Sequence, residues 1–189
     1  EDYKQRIRSS LSGLFYKRNY LGISCLAEGA IFDFFDRKIH VVRKPPRAAE
    51  YWVAGIDYGT TNNFACMLMG VSTGHYSQEG VCRWFEKEYV WDSHLRGRQK
   101  TNSEYADDVQ EFLEPYGVKA VYVDPSAAAF KLELRRRGLT ILDADNDVLN
   151  GITYMTSEMA KGNLFVCEDC KILTREIESY VWDSRKAAL

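Results

Sequence analysis

The chain has 189 residues, 46% hydrophobic and 28% charged, with a formal charge of −2. That balance suits a globular α/β domain with one sizeable core. It contains no run approaching the roughly 20 apolar residues of a membrane span, no signal-peptide pattern, and no bulk charge that advertises nucleic acid, so any such contact must use local basic patches around an acidic centre.

The opening Glu1-Asp2-Tyr3 reads as the middle of a longer protein. Lys4 to Tyr20 is basic and partly amphipathic, the pattern of a helix, and an apolar stretch follows from Leu21 to Phe35. Pro45-Pro46 can continue neither a helix nor a central strand, so a domain boundary is expected there, separating residues 1–46 from 47–189. Tyr51–Tyr58 is a predicted strand with Asp57 near its end, followed by a Gly59-Thr60-Thr61-Asn62 turn. Asn63–Gly70 and Val81–Trp91 complete a predicted antiparallel meander. The interval from Asp92 to Asn102 is polar and basic, an exposed loop.

Helices and strands then alternate. Ser103 is a candidate N-cap for a helix carrying Ala106, Val109 and Phe112. Lys119–Asp124 reads as a buried parallel strand. Ser126 would cap the next helix, with Ala127, Phe130 and Leu134 on one face and Gly138 as its stop. Leu139–Leu142 is a short strand, and Asp145 or Asn146 would cap a helix carrying Val148, Leu149, Ile152, Met155 and Met159. Leu164–Val166 is a last strand, and a final helix would bury Ile172, Leu173, Ile177, Tyr180 and Val181. Meander first, alternation second: the expected fold is one mixed α/β sheet, antiparallel and parallel, flanked by helices.

Two aspartates stand out by position. Asp57 ends an apolar strand between Gly55 and Gly59, and Asp124 ends another, stopped at once by Pro125. Ligands of α/β sheets collect at the carboxyl ends of strands. If the two strands are neighbours, the carboxylates lie side by side, where their repulsion favours a bound divalent cation. Oxygen-only ligands select Mg2+ or Mn2+, and a two-metal site suits phosphodiester hydrolysis. A strand-end Asp before Gly or Pro is also a common turn former or helix cap, and that alternative stays open.

Several segments, in order, resemble the nuclease half of the large terminase subunit of tailed bacteriophages, a ribonuclease-H-like family. They are Leu11 to Gly22, Ala27 to Asp33, Gly55-Ile-Asp-Tyr-Gly59, Val121-Tyr-Val-Asp-Pro-Ser126, Ala144 to Val148 with Gly151-Ile152, and Glu176 to Asp183. The resemblance implies a ribonuclease-H-like nuclease domain over residues 47–189, preceded in 1–46 by the tail of a packaging ATPase and its linker. It implies that Asp57 and Asp124 are catalytic and hold Mg2+ or Mn2+. It implies double-stranded DNA as substrate, cut in concatemeric form in the host cytoplasm. The implied partners are the small terminase subunit, the portal of the procapsid and the ATPase domain of the same chain. The family's third acid lies downstream of the Tyr-Val-Trp-Asp element; Asp183 matches that element rather than the acid, so the domain reads as cut before its last helix.

Two rivals accompany this reading. Gly55 to Asn62 also resembles the first phosphate loop of actin-like ATPases, although the second lobe and second glycine motif those proteins need are absent from the 189 residues. A non-catalytic docking module of the packaging motor is the other. No Walker A pattern occurs.

Lesser candidates are weaker. Asp143, Asp145 and Asp147 are a possible third carboxylate, or a loop and cap. Arg96, Arg98 and Lys100 are candidate DNA contacts, whereas Arg135-Arg136-Arg137 suits a last helical turn. Cys167-x-x-Cys170, among five cysteines, reads as two reduced thiols rather than a zinc site. His40, His75 and His94 carry no motif.

Overall fold

The computed structural model describes residues 29–59, 63–74 and 80–182. The expected Lys4–Tyr20 helix, the Leu11–Gly22 segment, Thr60-Thr61-Asn62, Cys25, His75 and Asp183 lie outside them. Among the described residues two compact units are present, one within residues 36–171 and one of 29–35 with 172–182.

The larger unit is built on a seven-stranded sheet. In chain order come α1 (Arg37–His40), β1 (Val41–Val42), β2 (Tyr51–Asp57), β3 (Phe64–Ser72) and β4 (Cys82–Trp91). Then follow α2 (Ser93–Arg96), α3 (Asn102–Leu113), a 3-10 turn (Glu114–Tyr116), β5 (Ala120–Val123) and α4 (Ala128–Arg136). Last come β6 (Ile141–Asp143), α5 (Val148–Ala160), β7 (Leu164–Cys167) and α6 (Lys171–Ser179), the last of which runs on into the smaller unit. The spatial order is β1-β7-β4-β3-β2-β5-β6. The β2–β3–β4 meander is antiparallel, and β5, β6, β7 and β1 join in parallel. This is the expected mixed sheet. Residues 41–42, before the prolines, belong to it as an edge strand.

Alternation along the strands sorts the faces. Ala54, Ile56, Phe64, Cys66, Leu68, Val121, Val123 and Ile141 are buried in one core with Tyr105, Ala106 and Val109 of α3 and Phe130 and Leu134 of α4. Its centre is aromatic: Phe64 stacks on Tyr105 at 4.3 Å and Tyr58 on Phe130 at 4.7 Å. A second cluster of Cys82, Trp84 and Cys167 fills the β4–β7 side. Gly70 lets the Trp84 indole lie against the β3 backbone, where any Cβ would collide with the ring.

Several helix starts differ from expectation. Thr101, not Ser103, caps α3, in a capping box closed by Glu104; the Thr-x-x-Glu pattern satisfies two orphan amides at once. The interval expected to be a loop contains α2, capped by Asp92. Ser126 does not cap α4, whose first turn has no side-chain cap. Asp147 rather than Asp145 or Asn146 caps α5. That helix buries Met159 while Val148 and Leu149 remain 61% and 62% exposed.

In the smaller unit, Ala30 and Val181 form an antiparallel bridge, Ile31 N–H donates to Tyr180 O at 2.8 Å, and the Phe32 and Tyr180 rings stack. Ile177 is buried as expected, whereas Tyr180 and Val181 lie beyond the helix end and are exposed.

Candidate metal centre

Asp57 is the exposed last residue of β2, one step past buried Ile56. Asp124 follows buried Val123 at the end of β5. The strands pair in parallel, from Val53 opposite Ala120 to Ile56 opposite Val123. One step further along this register sets Asp57 beside Asp124, on strands about 4.8 Å apart. Because Ile56 and Val123 face the helix-covered core, alternation turns the next residue on each strand to the other face. There Gly55 leaves open space, and its partner Tyr122 is exposed.

The Asp124 carboxylate is held in place. Its Oδ1 accepts from Ser126 N–H at 2.7 Å and Ser126 Oγ at 2.5 Å, and its Oδ2 accepts from Asn146 Nδ2 at 2.8 Å. The Ser126 hydroxyl and amide, then Asn146 and the Lys131 charge, hold this carboxyl below the usual aspartate range, so it is ionised at neutral pH. Asp124 is thus a turn former, as the alternative expectation had it. Oδ1 already accepts two bonds, while Oδ2 keeps a lone pair. Among the described residues none donates to the Asp57 carboxylate.

The other acids fall away from this pair. Asp143 is the third strand end in register, opposite Val123, but like Val123 it faces the α4 side, where Lys131 meets it at 2.5 Å. Asp145 accepts from Asp147 N–H, and Asp147 from Asn150 N–H and Nδ2. Loop and cap is therefore the role of all but Asp143, which is a lysine partner. Among the described residues no three His, Cys, Asp or Glu side chains converge as a metal cluster. The fit to a hard divalent cation rests on two carboxylates that follow paired residues of neighbouring strands, with a lone pair left on Asp124 Oδ2.

The basic loop sits at the same end of the sheet. β4 and β2 are both antiparallel to β3, so Trp91, paired with Phe64, ends its strand on the same side as Asp57, paired with Ala65. Two strand spacings separate them, about 10 Å. Arg96, Arg98 and Lys100 all lie over the Trp91 ring, at 4.9, 5.6 and 4.1 Å. Their surroundings differ. Lys100 is half-buried and paired with Asp108, which also accepts from Tyr89, and Arg98 is exposed and pairs with Glu104 at 2.9 Å. Arg96 is exposed, with no carboxylate partner among the described residues. Arg137 is occupied by Glu133, Asp107 and Ser103 as a staple between α3 and α4.

Cys167 and Cys170 are buried free thiols, each pushed up to about 12 by burial. Cys167 Sγ donates toward Glu86 at 3.7 Å and Cys170 Sγ toward the Phe85 carbonyl at 3.6 Å.

The side chains that sequence reasoning passed over are Lys131 and Asn146. Lys131 interrupts the Ala127, Phe130, Leu134 face of α4, and that interruption is the legible signal. Asn146 adjoins the residue that caps α5, and nothing local distinguishes it.

No protein-family model matches the chain. The large terminase subunit of Escherichia phage T5 is 24% identical, aligned over 95% of this chain and 40% of its own length. The large terminase of a thermophilic bacteriophage, solved in complex with ADP, superimposes with a TM-score of 0.76 at 38% identity, over 99% of this chain and 46% of that one. The nuclease domain of the P22 large terminase matches in fold, with a TM-score of 0.66 at 14% identity over 84% of this chain and 82% of that domain. The chain thus spans less than half the length of the full-length relatives it matches.

Proposed function

The chain is a homologue of large terminase subunits with the ribonuclease-H-like fold of their nuclease domains, and from that premise we propose that it is the DNA-cutting part of a viral genome-packaging motor. It is a metal-dependent endonuclease that hydrolyses phosphodiester bonds of concatemeric double-stranded DNA in the host cytoplasm. The observation that carries this reading is the parallel pairing of β2 with β5 up to Ile56 opposite Val123, which leaves Asp57 and Asp124 as the next residue after each.

Asp57 and Asp124 hold Mg2+ or Mn2+, with a two-cation site expected. When bound, such cations neutralise the phosphodiester and activate a water nucleophile. Asp124 gives its Oδ2, because Ser126 already saturates Oδ1. Asp57 gives an exposed carboxylate at the strand tip. Arg96 and Arg98 bind DNA phosphates flanking the cut, about 10 Å from the carboxylates. Lys100 has a structural task instead, because Asp108 already neutralises it in a half-buried pair. None of these contacts reads base edges, so cleavage has little sequence preference. The ATPase domain of the same chain, the small terminase subunit and the portal are the proposed partners.

Plasmid digestion with Mn2+ tests the reading. The native protein converts supercoiled DNA to nicked and linear forms, and folded Asp57→Asn does not. Equal cutting by the variant would refute the assignment.

A further inference from the structure

Lys131 lies on the apolar face of α4 between Phe130 and Leu134, and only 9% of its side chain is exposed. An ammonium group there must find partners or lose its charge. It finds two: the Pro125 carbonyl at 2.8 Å and Asp143 Oδ1 at 2.5 Å. Pro125 immediately follows Asp124, and Asp143 ends the neighbouring strand β6. One buried cation therefore ties the β5 exit to the β6 exit, just behind Asp124.

From the other side, Asn146 in the loop after β6 donates its amide to Asp124 Oδ2. The Ala144 N–H donates to Val123 O at 2.9 Å, so the same loop is pinned to β5 by its backbone as well. The result is a closed frame: β5 exit, Lys131, β6 exit, Asn146, and back to Asp124. Within it the two lone pairs of Oδ1 are consumed by Ser126, and Asn146 leaves Oδ2 with one. Ser126 thus leaves Oδ2 as the available oxygen, and Asn146, on the loop that the frame holds, fixes where it points.

We propose that Lys131 and Asn146 are positioning residues that orient Asp124 Oδ2 for a divalent cation shared with Asp57. The proposal rests on the metal-site reading above. Neither residue touches substrate or cation; both act through Asp124. Outer partners of metal-binding carboxylates commonly govern affinity by about 10–100-fold, because an unoriented carboxylate must lose rotational freedom when it binds.

The test is Mn2+ binding to the purified protein by titration calorimetry, with DNA cleavage followed across Mn2+ concentration. Three variants are compared with the native protein: Lys131→Met, which keeps the aliphatic stem, Lys131→Arg, which restores a cation, and Asn146→Ala, at an exposed loop position. Lys131→Met and Asn146→Ala should weaken Mn2+ binding by about 10-fold or more. Their cleavage should recover at saturating Mn2+, and Lys131→Arg should bind closer to the native value. Native Mn2+ affinity in Asn146→Ala and in folded Lys131→Met would overturn the proposal while leaving the Asp57–Asp124 site intact. If Lys131→Met does not fold, Asn146→Ala decides alone. Absence of Mn2+ binding sensitive to Asp57→Asn in the native protein would instead overturn the metal-site reading, and this proposal with it.

Discussion

Ile56 pairs with Val123 across two parallel strands, and the next residue on each chain segment is an aspartate, Asp57 closing β2 and Asp124 just past the end of β5. One strand spacing, about 4.8 Å, separates the two positions, and alternation turns both to the face away from the α3–α4 core. Asp143, one strand further, takes the opposite face and goes to Lys131. The two-residue period of a strand thus sets Asp57 and Asp124 on one face of the sheet and Asp143 on the other.

The basic loop should reveal itself in the salt dependence of DNA binding. Each phosphate contact releases condensed counterions, so removing one lowers the log–log salt slope by about 1. Arg96→Ala and Arg98→Ala should each do this, measured by fluorescence anisotropy on a duplex at several salt concentrations. Lys100→Ala should leave the slope unchanged and destabilise the fold by about 1–3 kcal/mol, because Asp108 and Tyr89 lose a charged partner in a half-buried site. An unchanged slope in both arginine variants would refute the phosphate contacts.

The capping residues and faces show how far the sequence carries. Both aspartates are legible because each closes an apolar run and is followed at once by a turn. Thr101 is legible in principle, through Glu104 three positions on, but Ser103 offers an equally good hydroxyl two residues later. Asp143, Asp145 and Asp147 are indistinguishable locally, since the face each one occupies depends on β6 pairing with β5. Lys131 is legible only as an interruption of the apolar Ala127, Phe130, Leu134 face; the partners that hold its charge, at the β5 and β6 exits, are not local in sequence. The insertion of β7 between β1 and β4 is a contact between segments over 70 residues apart, which no local pattern encodes.

Thiol chemistry should follow burial. Cys66, Cys167 and Cys170 are each pushed up to about 12, so their protons stay on in the folded protein. At pH 8 these three should resist iodoacetamide in the native state and react on unfolding, a contrast that peptide mass mapping reads directly. The linked pH effect has a definite sign. The folded pKa lies above the unfolded value of 9.0, so the unfolded chain binds fewer protons above that pH. Stability contributed by these thiols is complete below about pH 9 and declines as pH rises toward 12. Rapid native-state labelling of Cys66 would contradict its place beneath α3.

Gly70 offers a packing test far from the carboxylates. Its missing side chain is what the fully buried Trp84 ring occupies. Gly70→Ala should cost about 1–3 kcal/mol through overpacking, seen as a lower urea midpoint with an unchanged m-value. Native stability in this variant would show that the β3–β4 contact is looser than described.

The central claim is that Asp57 and Asp124 are two halves of one cation site, and a double-mutant cycle on Mn2+-dependent cleavage tests it most directly. Groups that act as a unit are grossly non-additive. Asp57→Asn and Asp124→Asn should each abolish most of kcat/KM, and the double variant should be no worse than the weaker single one. Losses that multiply in the double variant, or native kcat/KM in either folded single variant, would contradict a shared site.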